Sequence, residues 1–342
     1  MNAHVGHPRT AEQDAVPTPL GESSLLEVDD LRVHLPLRRR FPFSAKQSIK
    51  AVDGISLAIA PGEIVGLIGE SGSGKTTFGR ALLRLVTPSS GRIGFNGTDL
   101  TSLTPAEMRA FRRHMQMVFQ DPYSSLNPRM SVGEAVGEPL SIHHPHLSTR
   151  ARTERVTELL SQVGIAPAHA SRNPHAFSGG QRQRIAIARA LATEPDFIVA
   201  DEPVSALDVS VQAQIVNLLL DLKERLGLTV LFISHDLGVI SHIADRVVVM
   251  YLGKVMEIAP PSTFRNASAH PYTQALVSAL PVEHPRLRHA RVSLQGEIPS
   301  AVHPPSGCVF RTRCPRASAE CAQIVPELRQ LGAAHWAACI KL

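Results

Sequence analysis

The apolar residues of the chain fall into short runs with two different spacings. Apolar side chains stand at Leu26, Val28, Leu31 and Val33 with polar residues between them, and residues 49–60 resume this strand-like pattern, which predicts two strands. Residues 92–95 continue this pattern, and the Asn96-Gly97 pair that follows has the composition of a tight β-turn. The first third of the chain is therefore predicted to form antiparallel strands.

A second pattern, in which strands alternate with helices, begins near residue 63. Helices are predicted where apolar positions recur every three or four residues, over 149–163 and 211–226, each followed by a glycine. Thr104-Pro105-Ala-Glu107 has the composition of a capping box at the start of another helix. Strands with an almost continuous apolar interior are predicted over 63–69, 197–200 and 229–234. This alternation indicates an α/β fold with a mostly parallel sheet.

Composition narrows the class of protein. The chain has 342 residues, 43% apolar and 19% charged, which allows a sizeable core and argues against a disordered polyelectrolyte. No apolar run reaches the roughly 18–20 residues of a membrane-spanning helix. Residues 1–24 lack an apolar stretch of signal-peptide length, and we expect them to form a disordered tail. We therefore expect a soluble, cytoplasmic protein.

The charge balance does not favour a nucleic-acid partner. Lys and Arg number 35 against 30 Asp and Glu, a net charge of +5, and aromatic residues are only 4% of the chain. The basic runs at 38–40 and 112–113 are not interleaved with aromatic residues that could stack on bases. We expect a solvated basic surface and no nucleic-acid partner.

A glycine-rich segment directly after the predicted strand 63–69 has the phosphate-loop spacing G-x-x-x-x-G-K-[ST]. Its glycines let successive backbone N–H groups face phosphate oxygens, at the start of a helix predicted over 78–85. Lys75 supplies a cation for the β- and γ-phosphates, and the Thr76 hydroxyl is a ligand for Mg²⁺. The predicted nucleotide-binding residues of this loop are Gly69, Glu70, Ser71, Gly72, Ser73, Gly74, Lys75, Thr76 and Thr77.

Two carboxylates follow the apolar run 197–200. Asp201 is predicted to hold Mg²⁺, directly or through water, and Glu202 stands where a general base could polarise a water against the γ-phosphate. The alternative is a surface Asp-Glu pair, but a buried strand rarely ends in two acids without a use for them. We therefore expect nucleotide hydrolysis at this strand end.

Residues 177–184, Phe-Ser-Gly-Gly-Gln-Arg-Gln-Arg, resemble the signature motif of ATP-binding-cassette (ABC) ATPases. The motif places a serine and a glycine pair at a helix N-terminus, which forms an anion site. The resemblance implies that this site closes over the γ-phosphate bound by the phosphate loop of a second subunit. The residues that it assigns to this contact are Ser178, Gly179, Gly180 and Gln181.

Three further segments resemble motifs of the same family in the expected order. Gln120, in Val-Phe-Gln-Asp-Pro, resembles the residue that senses Mg²⁺ and the attacking water. Asp208, in Ser-Ala-Leu-Asp, resembles the residue that couples two sites across a dimer. His235, in Phe-Ile-Ser-His-Asp, resembles the residue that contacts the γ-phosphate and positions Glu202. The resemblance thus implies that Glu202, His235 and Gln120 are catalytic and that Thr76, Gln120 and Asp201 hold Mg²⁺.

The aromatic residue that stacks on adenine is left open. In this family it lies upstream of the phosphate loop, where Phe41, Phe43 and His34 are candidates. The strand pattern is interrupted over 36–45, so local packing of these residues is an equal alternative.

Several segments narrow the resemblance to the oligopeptide/dipeptide importer branch: 119–130, 204–214, 270–276, 296–299 and 304–315. The similarity runs from about Leu25 to the C-terminus and is closest to the second ATPase subunit of such importers. It implies an ABC-type core with a mostly parallel sheet, an antiparallel β subdomain and a helical insert, plus a small cysteine-containing C-terminal subdomain. The expected divisions are a tail over 1–24, an ABC ATPase domain over 25–259 with its helical insert at about 124–177, and a C-terminal domain over 260–342.

All four cysteines lie near the C-terminus, at Cys308, Cys314, Cys321 and Cys339. A cytosolic chain with this segregation suggests a metal site more than a disulfide scaffold. The cysteines are separated by 5, 6 and 17 residues, whereas structural zinc sites pair ligands two to four residues apart. Four isolated thiolates suit an iron–sulfur cluster, and some members of the importer branch carry a [4Fe–4S] cluster in the matching tail. We expect the cluster first, structural zinc second and no metal third.

The resemblance implies ATP hydrolysis, with ATP and Mg²⁺, that powers peptide import. The implied partners are a second ABC ATPase subunit, as a heterodimer or a homodimer, two membrane permease subunits and, indirectly, an extracytoplasmic solute-binding protein. The chain would then lie at the cytoplasmic face of the cell membrane. Nickel, glutathione and microcin-type peptides stay open as cargo. A soluble ABC ATPase of DNA repair or translation is an alternative that the helical insert and the single cassette disfavour. An iron–sulfur sensor, whose cassette would only regulate it, is a second alternative that stays open.

Overall fold

The computed structural model describes residues 24–37, 47–280, 294 and 296–342. The tail expected over 1–24 lies outside the described residues apart from Ser24, as do the adenine candidates Phe41 and Phe43. Among the described residues, no helix combines the length and the apolar character that a membrane crossing requires.

Strands and helices alternate along most of the described chain. The strands, in chain order, are β1 (Leu26–Pro36), β2 (Ser48–Ile59), β3 (Ile64–Ile68), β4 (Ser90–Phe95), β5 (Thr98–Asp99), β6 (Met115–Val118), β7 (Phe197–Asp201), β8 (Thr229–Ile233), β9 (Arg246–Tyr251), β10 (Lys254–Ala259), β11 (Arg329–Gly332) and β12 (His335–Ala337). The helices are α1 (Lys75–Leu82), α2 (Pro105–Phe111), α3 (Pro122–Ser125), α4 (Val132–His143), α5 (Thr149–Gln162), α6 (Gly179–Leu191), α7 (Val209–Leu226), α8 (Leu237–Ile243), α9 (Pro261–Ala267) and α10 (Pro271–Ser278).

The strands form two sheets. The smaller is antiparallel, in the order β2-β1-β4-β5, and the larger has the order β11-β12-β10-β9-β3-β8-β7-β6. In the larger sheet β9, β3, β8, β7 and β6 are parallel, whereas β10, β12 and β11 are added antiparallel. Helices α4 and α5 lie between β6 and β7 in the chain. The predicted α/β fold, with a mostly parallel sheet, an antiparallel β subdomain and a helical insert, is confirmed.

A turn and a helix cap predicted from short sequence motifs are both present in the structure. Asn96 and Gly97, between β4 and β5, have φ of 46° and 76°, and two positive φ angles characterise the type I′ hairpin turn. Thr104 and Glu107 form the capping box of α2, with Pro105 in its first turn.

The helix after the phosphate loop differs from its predicted bounds of 78–85. It begins at Lys75, where the loop already turns into a helix, and it ends at Leu82. Arg84 has φ of 51°, a left-handed conformation that a right-handed helix cannot continue through.

Both faces of the large sheet are covered. On β3, Ile64 and Ile68 pack into one apolar cluster, whereas Val65 and Leu67 pack into the cluster on the opposite face. All four are at most 2% exposed. Since successive side chains point to opposite faces, a strand covered on both sides is apolar throughout. Strands β3, β8 and β7 are neighbours, so the loops at their carboxyl ends meet at one edge of the sheet.

The C-terminal residues extend the large sheet, because β12 pairs with β10. The fully buried Glu257 carboxylate, on β10, accepts hydrogen bonds of 2.8 Å from the Ala269 and His270 N–H groups. Its Oε1 also lies 2.8 Å from His335 Nε2. This one buried side chain therefore joins β10 to two segments of the expected 260–342 domain.

Candidate nucleotide site

The phosphate loop, residues 69–77, connects the carboxyl end of β3 to the first turn of α1. Gly74 has φ of 102°, and a Cβ at this position would lie 1.9 Å from the Ala51 carbonyl oxygen. Only glycine therefore allows the loop to lie this close to β2. Ser71 and Gly72 are exposed, and the first N–H groups of α1 have no partner within the helix. An exposed glycine-rich backbone at a helix N-terminus can bind phosphate oxygens.

The Lys75 side chain lies against the loop backbone. Its Nζ donates to the carbonyl oxygens of Gly69 at 2.7 Å and Glu70 at 3.1 Å, and the residue is 5% exposed. Burial lowers the pKa of Lys75, while nearby carboxylates, that of Glu202 above all, oppose this shift. A buried ammonium whose partners are mainly neutral carbonyl groups is stabilised by a negative charge beside it. This loop can therefore receive a phosphate group.

Thr76 and Asp201 meet beside the loop. Thr76 Oγ1 donates a hydrogen bond of 2.8 Å to Asp201 Oδ1. Asp201 ends β7 and is 2% exposed. Burial raises its pKa, and the hydrogen bond from Thr76 opposes this shift. A divalent cation would offset the cost of burying this carboxylate, and hydroxyl and carboxylate oxygens are ligands that Mg²⁺ prefers. The two side chains therefore fit a Mg²⁺ site.

Glu202 follows β7 directly and contacts two of the other predicted site residues. Gln120 Nε2 donates to Glu202 Oε2 at 2.8 Å, and His235 Nδ1 lies 3.4 Å from the same oxygen. Glu202 has φ of 45°, which is uncommon for a residue with a side chain. Its N–H donates to the Ile233 carbonyl oxygen at 3.0 Å, which ties the residue to β8. Strained backbone of this kind concentrates at functional sites.

The predicted signature residues lie at the N-terminus of α6. Ser178 Oγ accepts from the Gln181 N–H at 3.3 Å, and Gln181 Oε1 accepts from the Ser178 N–H at 3.0 Å, which forms a capping box. A Cβ on Gly180 would lie 2.3 Å from Val211 Cγ1, so this glycine lets α6 pack closely on α7. Ser178, Gln181 and Asp208, the last at the N-terminus of α7, are exposed. Within the described part of the chain, no hydrogen bond or ion pair joins these helix ends to the phosphate loop.

Two protein-family models match this chain. The family model described as "ABC transporter" matches residues 52–205, and the one described as "Oligopeptide/dipeptide transporter, C-terminal region" matches residues 256–321. A putative peptide import ATP-binding protein of Brucella ovis is 54% identical over 321 residues, which are 94% of this chain and 98% of the relative. The chain belongs to the ABC transporter ATPase family. The resemblance seen in the sequence is confirmed.

Further relatives of this ABC ATPase support the same family assignment. The oligopeptide transport ATP-binding protein OppF of Escherichia coli is 48% identical over 94% of this chain and 97% of its own length. Among solved structures, the dimeric ATP-binding cassette MJ0796, in a post-hydrolysis state with ADP and Pi, is 30% identical, with a TM-score of 0.62. The match covers 69% of this chain and 98% of that one. The predicted ABC ATPase activity is confirmed by this membership.

One adenine candidate of the ABC ATPase, His34, lies among the described residues. Its Nε2 is 3.1 Å from Asp53 Oδ1, and the ring is partly buried. This contact joins His34, on β1, to Asp53, on β2, and the stacking of His34 on adenine stays a prediction.

The four cysteines of the ABC ATPase line one small cavity together with Phe310. All four are free thiols. Burial raises the pKa of Cys308 and Cys314, whereas the hydrogen bond from the Ser318 N–H lowers that of Cys321. No three of the described His, Cys, Asp or Glu side chains are arranged to hold a single metal ion. The thiols therefore share a cavity without converging on one point.

Two contacts of the phosphate loop were not predicted. Tyr272 Oη accepts from the Glu70 N–H at 2.9 Å, and Arg313 binds the Glu70 carboxylate. Both residues lie in segments that resemble the importer branch, 270–276 and 304–315, but no sequence pattern indicates that Glu70 is their partner. Because they come from the C-terminal region of the ABC ATPase, that region contacts the phosphate loop.

Proposed function

We propose that this ABC ATPase is the nucleotide-binding subunit of an importer for peptides of the oligopeptide or dipeptide class. One observation carries the proposal: a single chain combines the phosphate loop and its strand-end carboxylates with a C-terminal region that matches oligopeptide/dipeptide transporters over 256–321. The relatives named above, at 48% and 54% identity, are named for oligopeptide transport and peptide import. Their names support the same cargo class.

In the proposed reaction, Glu202 is the general base. It accepts a proton from a water molecule whose oxygen bonds to the γ-phosphorus, while the bond from that phosphorus to the bridging oxygen breaks and ADP and phosphate form. Gln120 and His235 position the Glu202 carboxylate, as their contacts of 2.8 Å and 3.4 Å with Oε2 support. The observation behind the base assignment is this three-residue contact at the end of β7.

The phosphate loop holds the substrate in this proposal. Its backbone N–H groups and the Lys75 ammonium bind the β- and γ-phosphates. Thr76, Gln120 and Asp201 hold Mg²⁺, which neutralises charge on the phosphates when it is bound. The buried Thr76–Asp201 contact of 2.8 Å supports that assignment.

A second ATPase subunit completes each site. Ser178, Gly179, Gly180 and Gln181 at the N-terminus of α6 are proposed to face the γ-phosphate bound by the partner, and Asp208 to couple the two sites. The exposure of Ser178 and Asp208 supports a contact with another protein. The related cassette MJ0796 is dimeric. We propose a heterodimer with a related subunit; recovery of this chain with only its own copies would instead establish the homodimer.

Two permease subunits are the proposed membrane partners, which places the ATPase at the cytoplasmic face of the cell membrane. An extracytoplasmic solute-binding protein then selects the peptide. Affinity purification of the tagged chain from detergent-solubilised membranes of its host should recover the permeases and a second ATPase. Recovery with ribosomes or DNA instead would overturn the proposal in favour of a soluble ABC ATPase.

Transport assays identify the cargo class. A strain that lacks this chain should lose uptake of labelled dipeptides or oligopeptides, and the wild-type chain should restore it whereas Glu202→Gln should not. Loss of nickel or glutathione uptake, with peptide uptake intact, would contradict the peptide class.

We also propose that Cys308, Cys314, Cys321 and Cys339 hold a [4Fe–4S] cluster. Their shared cavity supports this, since each thiolate of such a cluster binds a different iron and the four need not converge on one atom. The lack of a single-ion arrangement among the described residues disfavours zinc for the same reason. Anaerobic purification should give about four irons and four sulfides per chain, and Cys314→Ser should lose them. A colourless protein with one zinc under these conditions would favour structural zinc.

A further inference from the structure

Glu70, the second residue of the phosphate loop, is held at both its backbone and its side chain. Its N–H donates a hydrogen bond of 2.9 Å to Tyr272 Oη. Its carboxylate receives the Arg313 fork, with Nη1 2.6 Å from Oε2 and Nη2 3.1 Å from Oε1. Both partners come from residues C-terminal to β10. We call Tyr272 and Arg313 the C-terminal clamp.

The clamp is buried. The Arg313 side chain is 8% exposed and that of Glu70 25%, so this is not a solvent-screened surface pair. The ion pair is bidentate, a geometry that fixes orientation as well as charge. The hydrogen bonds to Glu70 hold the pKa of Arg313 above its ordinary range, and the guanidinium stays charged throughout.

Packed aromatic rings hold the clamp in place. The Tyr272 ring centroid lies 4.8 Å from that of Tyr251 and 5.3 Å from that of Phe310, and all three side chains are fully buried. Tyr251 Oη lies 3.4 Å from Arg313 Nη1. Since these rings cannot move without opening the core, the clamp presents fixed partners to Glu70.

The phosphate loop has a high conformational entropy that such contacts would reduce. Gly72 and Gly74 have φ of 79° and 102°, and glycine-rich backbone has more conformations to lose on ordering than any other. Glu70 also adds a negative charge to a loop whose proposed ligand is a triphosphate. A guanidinium that occupies both carboxylate oxygens neutralises this charge.

We propose that Tyr272 and Arg313 are positioning residues that hold the phosphate loop, through Glu70, in the conformation that receives Mg-ATP. The inference rests on the proposed function of the loop as the ATP site. A loop that is already ordered before the ligand arrives loses less conformational entropy on binding, so the ligand binds more tightly. The C-terminal region therefore takes part in setting nucleotide affinity, in addition to completing the sheet.

Two tyrosine variants provide a matched test. Tyr272→Phe removes only the hydroxyl that accepts from the Glu70 N–H and keeps the ring packing. Tyr251→Phe removes a hydroxyl from the same aromatic cluster that lies 3.4 Å from Arg313 Nη1, a long contact whose loss leaves both bonds from Arg313 to Glu70 and the bond from the Glu70 N–H to Tyr272 in place. Binding of Mg-ATP, measured by calorimetry, should weaken about fivefold to tenfold in Tyr272→Phe and change less than about twofold in Tyr251→Phe. Thermal midpoints measured without nucleotide report any loss of stability in each variant.

The charge contact is tested by a double-mutant cycle. Arg313→Gln should raise the Kd for Mg-ATP about tenfold or more, because Glu70 is left charged and mobile. Glu70→Gln in the same chain should recover part of that loss. The control is Glu63→Gln, since Glu63 makes a similarly buried ion pair with Arg246 (2.8 Å) before the opposite end of β3. That variant should lower the thermal midpoint and leave the Kd unchanged.

The outcomes separate this inference from the proposed function. If the wild-type chain binds and hydrolyses Mg-ATP but Tyr272→Phe and Arg313→Gln have the wild-type Kd and KM, the clamp has only a structural role and the inference is wrong. If both variants raise Kd and KM more than the Tyr251→Phe and Glu63→Gln controls do, it is supported. A wild-type chain that fails to bind Mg-ATP would overturn both proposals.

Discussion

Gln120 and Glu202 are 82 residues apart in the chain, yet Gln120 Nε2 lies 2.8 Å from Glu202 Oε2. The contact exists because Gln120 follows β6, Glu202 follows β7, and these strands are parallel neighbours at the edge of the large sheet. The amide donates, so it is complementary to an ionised Glu202 carboxylate. The contact therefore fits the proposed role of Glu202 as the general base.

Glu202→Gln should therefore separate hydrolysis from binding. We expect phosphate release to fall by about 100-fold or more, because the base is lost, while the Kd for Mg-ATP stays near the wild-type value and bound ATP accumulates. Lys75→Ala is the comparison, since it removes the ammonium that is proposed to contact the phosphates and should weaken binding itself. Hydrolysis by Glu202→Gln at the parent rate would show that Glu202 is not the base.

The Thr76–Asp201 contact gives a prediction for Mg²⁺. Thr76→Ser keeps a hydroxyl at this position, whereas Thr76→Val keeps the shape and removes the oxygen. We expect the Mg²⁺ affinity of the ATP complex to fall by about tenfold or more in Thr76→Val and to change little in Thr76→Ser. Titration of Mg²⁺ at saturating ATP, with phosphate release as the readout, measures this. The same Mg²⁺ affinity in both variants would show that Thr76 is not a ligand in the proposed Mg²⁺ site.

The close packing of Gly180 on Val211 predicts that a larger side chain at this position destabilises the protein. A Cβ there would lie 2.3 Å from Val211 Cγ1, so Gly180→Ala should lower the free energy of unfolding by about 1–3 kcal/mol. Adding Val211→Ala removes the clashing methyl group and should restore most of the loss. Urea unfolding of the single and double variants measures both effects. Failure of the second substitution to restore stability would place the clash elsewhere.

His270 predicts a dependence of stability on pH. The residue is 1% exposed, and burial lowers its pKa to about 4. The unfolded chain, with an ordinary histidine pKa of about 6.5, binds a proton that the folded chain excludes. The free energy of unfolding should therefore fall as the pH drops from about 6.5 towards 4, by about 2 kcal/mol between pH 7 and pH 5 from this one group.

Urea unfolding at both pH values tests the His270 effect. His270 Nδ1 accepts from the Tyr272 N–H at 3.1 Å, and the side-chain oxygen of His270→Asn can keep that hydrogen bond without titrating. The variant should show the smaller pH dependence. The same pH dependence in both chains would assign the acid sensitivity to other groups.

The parts of the fold that the sequence predicted are those with local signals. The Asn96-Gly97 turn, the Thr104 capping box and the end of α7 at Gly227 each depend on residues within a few positions of one another. The phosphate loop is also local, because glycine spacing and the following Lys75 determine its chemistry. Helix α1 was displaced by three residues, since nothing in its sequence indicates that Arg84 adopts a left-handed conformation.

The contacts made by the C-terminal region could not be predicted in the same way. Glu257 looks like an ordinary charged residue near the end of a strand, yet it is fully buried because Ala269, His270 and His335 bring their polar groups to it. The partners are up to 78 residues away, and no periodicity relates them. Long-range pairing of polar groups depends on the packed structure, so only the fold reveals it.

Glu70 and Arg313 are 243 residues apart in the chain, and this separation has a consequence for synthesis. Chains grow at about 5–20 residues per second, so the phosphate loop leaves the ribosome roughly 10 to 50 s before its guanidinium partner does. During this interval the nascent chain carries the loop without the C-terminal clamp. A chain arrested before Arg313 would hold most of the cassette but would bind nucleotide weakly. If the clamp acts as proposed, full nucleotide affinity is therefore delayed until translation has passed Arg313.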